Sequence, residues 1–185
     1  MSPHDWFYSR LAKLPSPKVV EIGTKAWDGK PPRHHRDVVH QYNPRAQWTG
    51  VDIEAGEGVD VVCDAHYLSS QFSDLDAWLC MSTLEHLRRP WVVARELAKV
   101  TKPGGIGLIA THFAFPYHPY SGDYFRFSIE GMREVFAEDL GWDIPTIEYH
   151  NPCKVVPLGN FFAHATDWNF EGEAWLTIAA AVQRK

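Results

Sequence analysis

Two rhythms of apolar and polar positions run along this chain, and they predict its elements. The run Lys18-Val-Val-Glu-Ile22 crowds β-branched residues between Pro17 and Gly23, the mark of a buried strand. Similar short runs predict strands over 48–53, 59–63, 77–81 and 106–110, with two late ones over 144–149 and 175–182. Between them the spacing becomes helical. Trp6, Phe7, Leu11 and Leu14 fit a short amphipathic helix closed by Pro15 and Pro17, and residues 34–42 predict a second helix. Val93, Leu97 and Val100 share one face of a helix whose first turn takes Pro90. Ser128 stands where it can cap a helix running to about residue 137. Residues 24–33, rich in Gly and Pro, read as a loop, and Lys102-Pro-Gly-Gly105 as a breaker.

Strands alternating with helices indicate an α/β fold: a single-domain, doubly wound, Rossmann-like architecture with a mostly parallel seven-stranded sheet and helices on both faces. A chain of 185 residues supplies one core and not two. The first 17 residues are expected to be a capping segment, and the aromatic stretch 112–127 a substrate loop. An apolar fraction of 45%, with 8 Trp, 7 Tyr and 10 Phe, excludes disorder. A net charge of −5, with Lys and Arg scattered, argues against a nucleic-acid partner, whose phosphates call for a basic face. Cys63, Cys80 and Cys153 make no C-x-x-C pair and read as structural. No run approaches the ~20 apolar residues of a membrane span, and no apolar signal core opens the chain, so a cytoplasmic location is expected.

Open α/β sheets bind ligands beyond the carboxyl ends of their strands. The residues there carry the most informative pattern in the chain. Val19-Val-Glu-Ile-Gly23, Gly50-Val-Asp-Ile-Glu54 and Cys63-Asp-Ala65 resemble the cofactor motifs of class I S-adenosylmethionine-dependent methyltransferases. Ser82-Thr-Leu-Glu-His86, then Glu96-Leu and Lys102-Pro-Gly-Gly105, are similar to later motifs of the small-molecule, type 11 branch. The resemblance implies S-adenosylmethionine as cofactor. Glu21 and Gly23 would line its methionine end, Asp52 would take both ribose hydroxyls, and Ile53 would lie on the adenine. Asp64, the Ala65 backbone and Met81 would complete the pocket. The residue types agree on their own terms, because one carboxylate can accept from both hydroxyls of a diol. The first loop departs from the family: Gly23 is followed by Thr24, Lys25, Ala26 and Trp27, and the next glycine is Gly29. That loop lacks the G-x-G-x-x-G turn a dinucleotide pyrophosphate needs, which counts against a nicotinamide dehydrogenase. Lys25, His34, His35 or Arg36 could meet the methionine carboxylate instead, or simply be solvated.

The acceptor is expected beyond the fourth and fifth strands, as a small molecule such as a saccharide presenting a hydroxyl. His112, directly after the fifth strand, is the first candidate for general base and His118 the second; each could equally be a satisfied polar group. His86, Tyr117, Tyr124 and Arg126 are the candidate substrate contacts. Arg126 has an alternative role, pinning the loop through Asp123. Ten His invite a metal, but none stands at zinc or iron ligand spacing on a confident element, so no metal is expected. The alternative to catalysis is a cofactor-binding module with an altered first loop, in which Trp168 and Trp175 serve a partner.

Overall fold

A computed structural model describes residues 1–26, 35–118, 122–154 and 174–185. Ser2 opens the first helix by accepting the Asp5 N–H (3.1 Å), and Pro3 occupies its first turn. This helix, α1 (Pro3–Leu11), precedes β1 (Lys18–Ile22), α2 (Arg36–Tyr42), β2 (Gln47–Asp52), the two-residue β3 (Val61–Val62) and β4 (Leu75–Met81). Then follow α3 (Pro90–Val100), β5 (Thr101–His112), α4 (Ile129–Val135), β6 (Trp142–Cys153) and β7 (Ala174–Arg184). The seven strands form one sheet in the order β3-β2-β1-β4-β5-β7-β6.

The sheet is mixed. Strands β3, β2, β1, β4 and β5 pair in parallel, whereas β7 runs antiparallel between β5 and β6. Strand order reverses between β1 and β4, which places the ligand crevice above that seam. Alternation along the strands divides the core in two. Val20, Ile22, Trp78 and Cys80 pack against α3 and α4, while Val19, Ala77 and Leu79 pack with Trp6, Phe7 and Leu11 of α1 and Val39 of α2. The N-terminal segment therefore covers a face of the sheet, over Ile106, Leu108 and Ala181, and does not line the crevice. Close packing also fixes a residue type: Trp78 lies against Gly107 on the neighbouring strand, where an added Cβ would fall 2.2 Å from its ring.

Two expectations differ from the structure in detail. The third strand is shorter than 59–63 because it forms the sheet edge and pairs with β2 alone, through Val61 and Val62. Lys102-Pro-Gly-Gly105 does not stop the chain: it bulges within β5, where pairing with β4 jumps from Leu75↔Thr101 to Ala77↔Ile106 and Gly104 takes a φ of 81°. Of the basic candidates, His34 lies outside the described residues, as do Gly29 and Trp168.

Candidate active site

The ends of β1 to β4 open onto a cavity of about 260 Å³. At the β1 end Gly23 turns with a φ of 83° and donates its N–H to the Val51 carbonyl (2.8 Å). Opposite it, the Thr83 hydroxyl faces the Ile22 carbonyl (3.2 Å) and the Met81 carbonyl (3.1 Å), closing the floor between β1 and β4. At the β2 end Asp52 accepts the backbone N–H of Lys25 (3.0 Å) and of Glu54 (3.2 Å), one on each oxygen. Each oxygen keeps a further lone pair for the cavity. Ile53 beside it is 57% exposed, an aliphatic surface for a planar ring. The Lys25 ammonium pairs with Glu54.

Asp64 follows β3 and caps the turn Ala65–Ser70. It accepts both the backbone N–H (2.9 Å) and the ring N–H (2.6 Å) of His66. Partial burial opposes its charge, but those two donors hold the carboxyl below the usual range. At the β4 end Ser82 adopts a φ of 48°, rare for a residue with a Cβ, while its N–H bonds the Ala110 carbonyl (2.7 Å). Backbone strain of this kind gathers at ligand sites.

Gly23, Asp52, Ile53, Asp64 and Ala65 all line this one cavity, as Ser82, Thr83, His86, Arg88 and Tyr124 do. Two other anticipated residues stand elsewhere. Glu21 is buried and its carboxylate is occupied: it accepts the His35 backbone N–H (2.7 Å), the His35 ring N–H (2.8 Å) and the Trp48 indole N–H (3.1 Å). It thereby ties the start of α2 to β2. Met81 packs against the α1 side of the core. Among the other basic candidates, Arg36 lies over the Trp48 ring and near Asp37.

Beyond β4 and β5 a second group converges. His112 Nδ1 lies 2.8 Å from Glu85 Oε1, too bent for an aligned hydrogen bond, while the other Glu85 oxygen accepts the Thr111 hydroxyl (2.7 Å). Burial opposes the Glu85 charge, but His112 and Thr111 keep the carboxyl below its ordinary value. The ring of His118 meets those of His86 and His112 edge-on at 5.0 Å each, and His112 stacks on Phe115 at 4.0 Å. The loop carrying them is stitched down by main-chain bonds from Tyr124 to Glu85 and from Phe127 to His112. Arg126 clasps both oxygens of Asp123 and donates to the carbonyls of Phe115, Pro116 and Phe125. That pair holds Asp123 far below the carboxylate range, against its burial. Tyr124 accepts from Arg88 Nε (3.0 Å) at the cavity mouth, and Tyr117 is 75% exposed.

With this geometry in view, the comparisons with known proteins are informative. A family model described as a methyltransferase domain matches residues 35–109. Over this span the chain is similar to the type 11 branch of the class I methyltransferases. Its matched span runs from α2 to within β5 and includes the ends of β2, β3 and β4. An S-adenosylmethionine-dependent methyltransferase from Archaeoglobus fulgidus superposes with a TM-score of 0.65 at 18% identity, covering 98% of this chain and 91% of its own. One from Mesorhizobium loti gives 0.60 at 13% identity, covering 97% of each chain. A structure from Haloferax volcanii, solved as a complex with the Trm112 methyltransferase activator, gives 0.59 at 18% identity over 97% of this chain and 88% of that one. No curated protein matches the sequence. The matched domain and these neighbours imply S-adenosylmethionine as cofactor, and the cavity fits it: three carboxylates, of Asp52, Glu54 and Asp64, and an exposed aliphatic side chain surround a concave space with room for a cationic nucleoside. No described helix is long and apolar enough to cross a membrane.

Proposed function

We propose that this methyltransferase moves a methyl group to a hydroxyl of a small acceptor, a sugar or related metabolite. The observation that carries this reading is a continuity: His86 lines the cofactor cavity and its ring also meets His118, the link to the His112–Glu85 pair. When bound, S-adenosylmethionine supplies a methyl on a sulfonium, whose carbon–sulfur bond gives its electron pair to sulfur as the acceptor oxygen bonds to carbon. The protein's own tasks are alignment and removal of the acceptor's proton.

On this reading Asp52 holds the ribose, Ile53 the adenine face, and Asp64 with the Ala65 backbone the adenine edge. Gly23 lets the chain pass close to the methionine portion, while Glu21 and Met81 support that end from behind. His112 and His118 activate the acceptor hydroxyl. His86, Tyr117 and Tyr124 form the acceptor's walls, and Arg126 fixes the loop that presents them.

Calorimetric titration with S-adenosylhomocysteine, with NAD as control, tests the cofactor half. Binding at about 100 μM or tighter, roughly −5.5 kcal/mol, is expected with NAD silent. Methyl transfer from labelled cofactor to a panel of hydroxylated sugars tests the other half. Labelling of amines alone would overturn the hydroxyl assignment.

A further inference from the structure

The buried carboxylate of Glu85 poses a charge problem. It is fully excluded from water, and one of its oxygens has no aligned donor. Its nearest neighbour, His112 Nδ1, is also buried and also lacks an aligned partner, although the two atoms stand 2.8 Å apart. A buried anion in that state calls for a positive charge. A proton on His112 would supply one, but a proton shared between the two would favour an aligned bond. The Arg126 guanidinium acts on Glu85 through space, His86 Nε2 lies 4.0 Å from the same oxygen as His112, and His118 adds a third imidazole to the group.

We propose that Glu85, His112 and His118 hold a divalent transition-metal ion. Their ligand atoms lie within 4.8 Å of one another. Tetrahedral ligands at about 2.0–2.2 Å from an ion stand about 3.3–3.6 Å apart, so an inward movement of up to about 1.5 Å by His118, on the loop, closes the set. Two imidazoles and one carboxylate form an array that takes zinc, iron(II) or cobalt(II) and leaves a coordination position open.

The supporting groups have the arrangement such ligands require. Ligating histidines donate their second ring N–H to a carbonyl or carboxylate, which fixes the tautomer. His118 does so through Nδ1, to the Pro116 carbonyl at 3.0 Å, so its lone pair is on Nε2. The Thr111 hydroxyl fixes the far oxygen of Glu85, and Asp123, pinned by Arg126, accepts the His118 backbone N–H at 3.0 Å. Phe115 stacks over His112 and shields the group from solvent.

This site deepens the methyl-transfer reading and rests on it for its role, though not for the binding itself. The ion binds the acceptor hydroxyl at the open position and lowers its pKa. The O–H bond then breaks, its electron pair staying on the oxygen that attacks the methyl carbon. His112 and His118 thus act on the hydroxyl as ligands of the ion, and His86, beyond walling the acceptor, takes the proton on Nε2, because it already commits its Nδ1–H to the Gly122 carbonyl.

The test uses the full chain, stripped with a chelator and titrated with cobalt(II) by visible absorption and with zinc by calorimetry. One equivalent of each should bind, with intense cobalt bands from a low-coordinate site. Loss of an outer-shell partner costs about 10- to 100-fold in metal affinity, so Thr111→Val should fall in that range while Glu85→Gln and His118→Ala lose more than about 100-fold. S-adenosylhomocysteine affinity, measured on the same samples, reports folding and separates the two ideas. Cofactor binding without stoichiometric metal, or metal binding that Glu85→Gln and His118→Ala leave unchanged, would overturn the site and leave the methyltransferase reading intact. Metal binding without cofactor binding would do the reverse.

Discussion

Thr83 occupies the space that a side chain on Gly23 would need. A Cβ built on Gly23 would lie 2.0 Å from the Thr83 hydroxyl oxygen and 2.9 Å from its Cβ, and the Gly23 φ of 83° disfavours any side chain in its own right. The left-handed backbone costs about 1–2 kcal/mol and the overlap about 1–3 kcal/mol more. Gly23→Ala should therefore lower stability by at least about 2 kcal/mol in urea denaturation and weaken cofactor binding. Adding Thr83→Ala should recover only part of the loss, since the backbone conformation and the Cβ contact remain. Full recovery would show that the hydroxyl overlap was the whole effect.

Asp52 is held by two backbone donors and needs no other partner to stay in place. Hydrogen bonds to a charged group are worth about 1.5–3 kcal/mol. Asp52→Ala should weaken S-adenosylhomocysteine by about 10- to 150-fold. His112→Ala should leave that affinity alone and reduce turnover. Unchanged affinity in Asp52→Ala would remove the ribose assignment.

Glu96 joins α3 to the turn after β3. Its carboxylate accepts the backbone N–H and hydroxyl of Ser69 (2.9 and 2.6 Å) and pairs with Lys99 (2.5 Å). Desolvation works against its charge, yet Lys99 and Ser69 lower its pKa on balance. A folded-state pKa below the unfolded one gives stability that is full above the unfolded value, about 4.3, and is lost as pH falls through the folded value. Wild-type stability should fall across that acid window more steeply than that of Glu96→Gln. At neutral pH Glu96→Gln should be the less stable protein, by about 1–3 kcal/mol. Parallel acid profiles would count against the anchor.

Arg126 reaches two carboxylate oxygens and three carbonyls with one planar group, and an ammonium cannot copy that fork. Arg126→Lys should speed amide exchange over residues 113–118 and raise the acceptor KM, while cofactor affinity holds. Unchanged exchange would mean that the main-chain bonds to Glu85 and His112 suffice.

Much of this architecture was legible in the residues. Short apolar runs located every strand, and Ser128 capped its helix as expected, accepting the Gly131 N–H at 3.1 Å. The cavity residues at the ends of β2 and β3 were equally readable, because strand ends are local features. Glu21 shows the limit. Its place at a strand end was clear, but the donors that occupy it come from His35 and Trp48, brought together only by the fold. The histidine cluster is the same case on a larger scale: residues 85, 112 and 118 have no helical or zinc-finger spacing, and tertiary pairing of β4 with β5 brings them together. Ser82 and Thr83 also escaped notice, since the motif around them drew attention to Glu85 and His86.

The antiparallel insertion of β7 has a consequence for how the molecule is made. Residues 174–184 lie between β5 and β6, inside the sheet, although they are the last strand in the sequence. Until they emerge during synthesis, β5 offers an open row of amides and carbonyls, and β6 has no neighbour to pair with. The nascent chain must therefore wait with its half-sheet exposed, and a ribosome that stalls before residue 174 would release an aggregation-prone fragment in place of a smaller enzyme.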